Sequence, residues 1–153
     1  MISFIDFLVI AKKNTYASSR LTDFLNKDGS KELVYEQDNY KYVDRYYGYN
    51  PFIGQEIVFE NNNCIWGLNY FGEVLQSEIF EKEVYSFLKS ALLKIENRSP
   101  LRGPNYYKEN NLEYFSQSLG DVNRFSGKEY VDYKGKTIYR GLFSGGIIRK
   151  KLI

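Results

Sequence analysis

The pattern Phe52-x-Gly54-x-Glu56-x-Val58 returns as Phe125-x-Gly127-x-Glu129-x-Val131, and this recurrence constrains the chain more than any other feature. The match extends in both directions. Tyr42 to Gly48 lies over Tyr114 to Gly120, and Phe52 to Leu75 over Phe125 to Ile148, with one residue of slack between the blocks. Ile65-Trp66 then falls on Ile138-Tyr139, Tyr70 on Phe143, Gly72 on Gly145 and Asn62 on Gly135. A Phe-Leu-x-x-Ala signature precedes each block, at Phe7-Leu8 with Ala11 and at Phe87-Leu88 with Ala91. Unrelated twisted hairpins also share glycines and aromatics, but here helix, glycine, turn and aromatic positions agree together, which favours duplication. Each unit alone would leave one face of its sheet unburied. The expected fold class is therefore α+β: two tandem pseudo-twofold units, each a helix plus antiparallel strands, joined into one antiparallel sheet packed by two helices. Residues 1–153 then form a single domain, with unit one over about 1–76 and unit two over about 77–148.

Local patterns fill in the elements. Ser3 and Asp6 have capping-box spacing, and Phe4, Phe7, Leu8 and Ala11 follow on one helical face, predicting a helix over 3–13. Lys12 and Lys13 then sit at its negative end, with Asn14 as the cap. Residues 16–31 read as a polar, turn-rich loop. Strand texture covers 33–35, 40–47, 55–60 and 64–71, with Asn61-Asn62-Asn63 as a hairpin turn and Pro51 just ahead of a strand. A second helix is predicted over 77–96, its stripe running through Phe80, Val84, Phe87, Leu88, Ala91, Leu92 and Ile95. Arg102-Gly103-Pro104 reads as a loop, and strands return over 112–119, 127–133 and 137–144, with Lys134-Gly135 as the last turn.

Composition narrows the chemistry. The chain has no histidine and a single cysteine, Cys64. That removes His-dependent triads, His-ligated zinc and an internal disulfide, and it suits a reducing compartment. No cofactor and no metal are expected. No apolar run is long enough for a membrane helix, and the N-terminus lacks the pattern of a signal peptide, so the expected location is the cytoplasm. Residues 1–76 carry 7 Lys/Arg against 10 Asp/Glu, a net of 7 − 10 = −3, while residues 77–153 carry 14 against 9, a net of 14 − 9 = +5. The basic excess is scattered, which disfavours a nucleic-acid partner.

Strand parity singles out the two glutamates. Side chains alternate faces, so Glu129 shares the apolar face with Phe125 and Val131, and Glu56 shares one with Phe52 and Val58. A carboxylate on a covered face must be hydrogen-bonded, paired or neutralised. In one reading the two face a common groove across the pseudo-dyad. In the other each is a structural lock, held by loop N–H groups or by Arg45 or Arg124. The pairs Trp66 with Tyr70 and Tyr139 with Phe143 would line the same groove, or pack the core, among 15 tyrosines and 11 phenylalanines. Arg45, in the cluster Asp44-Arg45-Tyr46-Tyr47-Gly48, is a candidate anion clamp or a partner for an internal acid.

The segments Tyr46-Tyr47-Gly48-Tyr49-Asn50-Pro51-Phe52-Ile53-Gly54-Gln55-Glu56, Trp66-Gly67-Leu68-Asn69-Tyr70, Val84-Tyr85-Ser86-Phe87-Leu88 and Arg102-Gly103-Pro104 resemble a bacterial domain-of-unknown-function family found alone or behind helix-turn-helix regulators. The resemblance implies no established activity and points to sensing or interaction modules; this chain shows no helix-turn-helix segment of its own. Three functions remain open. The first is a non-enzymatic domain binding an amphipathic or cationic small molecule through Glu56, Glu129, Trp66, Tyr70, Tyr139, Phe143 and Arg45. The second is a protein-interaction module, for which the groove should be filled by side chains. The third is a carboxylate-dependent hydrolase or transferase, which needs both glutamates at an open cleft. The sequence assigns no catalytic residue and no oligomeric state.

Overall fold

The computed structural model describes residues 1–17, 25–75 and 77–151. Helix α1 (Phe4–Ala17) starts from the predicted capping box: Asp6 N–H donates to Ser3 Oγ at 3.1 Å, and the Ser3 hydroxyl donates to Asp6 Oδ2 at 2.6 Å. The helix runs past its predicted end. Asn14 lies inside it, donating to Ile10 O at 2.8 Å, so Lys12 is a mid-helix residue and not a terminal one. The loop expected over 16–31 lies partly outside the described residues.

Helix α2 (Glu81–Leu92) is shorter than the predicted 77–96. At its start Ser77 Oγ accepts the N–H of Ile79, a local turn that competes with helical pairing. At its end Lys94 N–H and Ile95 N–H bond three residues back, tightening the chain into turns. The stripe of Val84, Phe87, Leu88, Ala91 and Leu92 is buried as expected.

Eight strands follow the two helices in the same pattern. Unit one contributes β1 (Lys31–Gln37), β2 (Tyr40–Gly48), β3 (Phe52–Glu60) and β4 (Asn63–Val74). Unit two contributes β5 (Tyr106–Glu109), β6 (Leu112–Asp121), β7 (Arg124–Tyr133) and β8 (Lys136–Ile147). Strand β5 falls where the sequence predicts no element; four residues on a sheet edge are too short to show an alternation. All pair antiparallel in one sheet of order β1-β2-β3-β4-β8-β7-β6-β5, so the units meet at the β4–β8 seam. The fold is α+β: the described residues form two helices on one face of a single eight-stranded antiparallel sheet.

Matched positions of the sequence pattern occupy matched positions of the sheet. Gly54 pairs with Tyr70 as Gly127 pairs with Phe143, and Val58 pairs with Trp66 as Val131 pairs with Tyr139. The bulges coincide too, after Val58 and after Val131. The last hairpin of each unit turns through two positive-φ residues, Asn61 and Asn62 in one, Lys134 and Gly135 in the other. Gly48 and Gly120 both take positive φ, and a Cβ at either would collide with a backbone carbonyl, that of Pro51 or Arg124. Tyr70 and Phe143, matched in the sequence, are direct partners across the seam, which puts the pseudo-dyad between them.

Helix α1 packs on β1 and β2, and α2 on β5 and β6. The middle of the covered face lies under the segment between α2 and β5, where Ile95, Leu101 and Arg102 are buried. Among the described residues no helix lies on the opposite face.

Candidate functional site

Period-two alternation carries both glutamates to the covered face, as the sequence predicts. Glu56 is 0% and Glu129 2% exposed. They do not look onto a groove. Arg102 lies between them, its Nε 3.1 Å from Glu129 Oε1 and its Nη1 3.9 Å from Glu56 Oε1. Lys12, fully buried on the inner stripe of α1, pairs with Glu56 Oε2 and donates to Leu101 O at 2.7 Å. Glu129 accepts two further bonds, from Tyr114 Oη at 2.7 Å and Tyr139 Oη at 2.8 Å. Asp44, on β2 directly beside Glu56, accepts a bond of 2.6 Å from Tyr70 Oη.

The aromatic residues are engaged in the same interior. Trp66 stacks on Phe125 at 5.8 Å and donates its Nε1–H to Val122 O at 2.9 Å. Tyr139 stacks on Phe52 at 6.3 Å. These two stacks are reciprocal, each unit lending a phenylalanine to the other unit's ring. The Arg102 guanidinium lies over the Tyr70 ring at 4.7 Å, and Lys12 Nζ lies 5.6 Å from the Trp66 ring centroid. Phe143 packs on Phe125 and over Gly127, where a Cβ would meet its ring. Aromatic faces and carboxylates do hold cations here, and the chain itself supplies them.

Arg45 does not belong to this cluster. Its neighbour Asp44 faces inward, so Arg45 must face the other way, where it donates to Ser30 Oγ at 3.1 Å and lies 3.4 Å from Asp28 and 3.6 Å from Glu32. Arg124, the other partner considered for the glutamates, is likewise exposed. The sequence reading missed Lys12, Asp44, Arg102 and Tyr114. Three of these carried a signal: Lys12 continues the apolar stripe of Leu8 and Ala11, Asp44 has the parity of Tyr42, and Tyr114 is the counterpart of Tyr42. Arg102 lies in an aperiodic segment and carried none.

Burial sets the electrostatics. Two buried cations, Lys12 and Arg102, face three buried acids, Asp44, Glu56 and Glu129, so full ionisation leaves 2 − 3 = −1 inside the protein. Burial, reinforced by the charge of Glu56, pushes Asp44 up to about 7, so a proton on Asp44 balances the cluster. Burial pulls Lys12 below its ordinary value, and Glu56 draws it partly back. Burial, then the adjacent carboxylate, holds Tyr70, Tyr114 and Tyr139 well above the usual phenol range, so all three serve as donors. Among the described residues no group of three or more His, Cys, Asp or Glu side chains is arranged to hold a metal ion. No helix among them is long and apolar enough to cross a membrane.

The uncovered face is built differently. Ile53, Phe71 and Leu142 are direct neighbours across β3, β4 and β8, and they are 56%, 41% and 64% exposed. The adjoining row runs Glu73, Arg140, Tyr130, Phe115 and Tyr106, with Glu73 and Arg140 paired and Phe115 stacked on Tyr130 at 4.8 Å. Between the rows lies a shallow concavity of about 600 Å³, bounded by Phe71, Glu73, Lys128, Tyr130, Arg140 and Leu142.

A split helix-and-sheet domain with a sealed charged interior, and one sheet face that none of the described helices covers, is thus the class of protein the fold defines. The chain belongs to the family described as a domain of unknown function (DUF5680), whose model matches residues 44–148. That segment includes Asp44, Glu56, Arg102 and Glu129, while Lys12 precedes it. Neither a curated protein nor a solved structure matches the chain.

Proposed function

We propose that this protein is a non-enzymatic interaction module whose working surface is the helix-free face of the sheet. The observation that carries this reading is the exposed cross-strand row of Ile53, Phe71 and Leu142. Adjacent apolar side chains left in water gain free energy when a partner covers them, and contiguous exposed patches of this kind mark binding surfaces. A small molecule held by Glu56, Glu129, Trp66 and Tyr139 would have to displace Arg102 and Lys12 from buried ion pairs. Carboxylate chemistry at Glu56 and Glu129 would meet the same obstacle. The concavity between Glu73, Arg140 and Leu142 suits an inserted side chain of a protein partner, because it is broad and open. On this reading the module works in the reducing cytoplasm of a bacterial cell, supported by the lone Cys64 and by the family resemblance, and its two units descend from one duplicated element, supported by their matched registers and bulges.

A photo-reactive benzophenone side chain placed at position 71 or 142, irradiated in cells, tests the reading against the same group at Ser86, which is exposed on α2. Protein adducts from 71 and 142, absent at 86, are expected. Equal labelling at all three, or none at 71 and 142, overturns the assignment of this face.

A further inference from the structure

We infer that the partner on the open face is a second copy of this chain, packed sheet against sheet about a twofold axis parallel to the strands at the β4–β8 seam; this rests on the reading of that face as the working surface. The charge distribution selects the arrangement. By strand parity unit one presents Glu32, Glu36 and Glu73 against Lys41 and Arg45 on this face, a net of 2 − 3 = −1. Unit two presents Lys108, Arg124, Lys128 and Arg140 against Glu113, Asp121 and Asp132, a net of 4 − 3 = +1. The same polarity runs through the whole sequence, −3 in residues 1–76 and +5 in residues 77–153, as counted above. A twofold perpendicular to the strands, lying between the sheets, would set each unit over its own kind. The strand-parallel twofold sets unit one over unit two, bringing opposite signs together at both ends.

Shape agrees with charge. The seam lies in the middle of the strand order, so this axis places β4 over the second copy's β8 and β3 over its β7. Phe71 of each copy then meets Leu142 of the other. Ile53, more than half exposed, comes over the concavity that Lys128 and Tyr130 of β7 help to bound. Glu73 comes over the second copy's Arg140, turning two pairs within chains into a four-charge ring. Sheets stacked face to face sit about 10 Å apart, close enough for these side chains to interdigitate.

Sedimentation velocity over a concentration series tests this. The wild-type chain is expected to pass from monomer to dimer, and Leu142→Glu, at an exposed site, to raise the dissociation constant about 100-fold or more, with a thermal midpoint unchanged when both chains are monomeric at high dilution. Glu73→Arg and Arg140→Glu alone are each expected to weaken the dimer about 10-fold, and their equimolar mixture to restore it, because each then meets its opposite. A wild-type chain that stays monomeric at about 1 mM, a concentration well above typical specific affinities, overturns the inference. So does a dimer indifferent to Leu142→Glu, or a mixture no tighter than either variant. Adducts to other proteins from positions 71 and 142 of a monomeric chain would overturn the second copy while leaving the face itself as the working surface.

Discussion

The two units place a glutamate at the same point of the same strand and satisfy it with different partners. In unit one, α1 delivers Lys12 to Glu56, and the neighbouring strand adds Asp44. In unit two the position on α2 matching Lys12 is Leu92, and the position matching Asp44 is Ser116. Glu129 there relies on the hydroxyls of Tyr114 and Tyr139 and on Arg102, which also approaches Glu56. The architecture fixes where the carboxylate goes; burial demands that it be satisfied, and any donor within reach will serve. Unit one carries a lysine ion pair and a titratable spare acid, whereas unit two adds two tyrosine hydroxyls to an arginine pair.

The largest test of that contrast is Lys12→Met. It takes from buried Glu56 the ammonium that pairs with it, so a loss of about 3–5 kcal/mol is expected in urea unfolding, largely recovered in Lys12→Met/Glu56→Leu. A loss under about 1 kcal/mol would mean that Glu56 does not depend on α1. Next is Glu129→Gln, which keeps the shape, deprives Arg102 of the nearer carboxylate and turns one acceptor into a donor between two tyrosines. About 2–3 kcal/mol should be lost, and no Lys12 substitution should compensate.

The third test concerns pH. Asp44 has a folded pKa of about 7, raised from an ordinary 3.8, so the native state holds a proton that the unfolded chain releases. Stability from this group is full below about pH 4 and is lost as pH rises towards 7, with a slope of at most about 1.4 kcal/mol per pH unit. Urea midpoints measured across that window should fall for the wild type and flatten in Asp44→Asn, while Ser116→Ala in the matched position leaves the slope alone. The smallest effect belongs to Tyr70→Phe. Its hydroxyl favours the Asp44 carboxylate, so its loss should cost about 1 kcal/mol and push the upper end of the pH window higher. An unshifted window would place the control of Asp44 elsewhere.

Much of this was legible in the chain. The pattern around Glu56 and Glu129 foretold matched strands, matched turns and an inward carboxylate in each unit, because alternation and turn chemistry are local. The same rule, applied one residue earlier, sends Asp44 inward and Arg45 outward, so the misplacement of Arg45 came from weighing a cluster by composition and not by parity. The expectation of a groove failed for a different reason. Alternation says which face a side chain takes, and it is silent on what lies above that face.

The amino-acid order alone determined the α+β class, the pairing of two helix-and-strand units in one sheet and the sheltered position of both glutamates, since each follows from periodicities of two and 3.6 residues. The tertiary structure alone decided that the space between them is filled. Lys12 reaches Glu56 across 44 positions and Arg102 reaches Glu129 across 27. Contacts at such separations depend on where α1 lies and how the segment after α2 crosses the sheet, and no short-range pattern encodes either. Because buried charges must be matched wherever the fold brings them together, that crossing sealed the inner face.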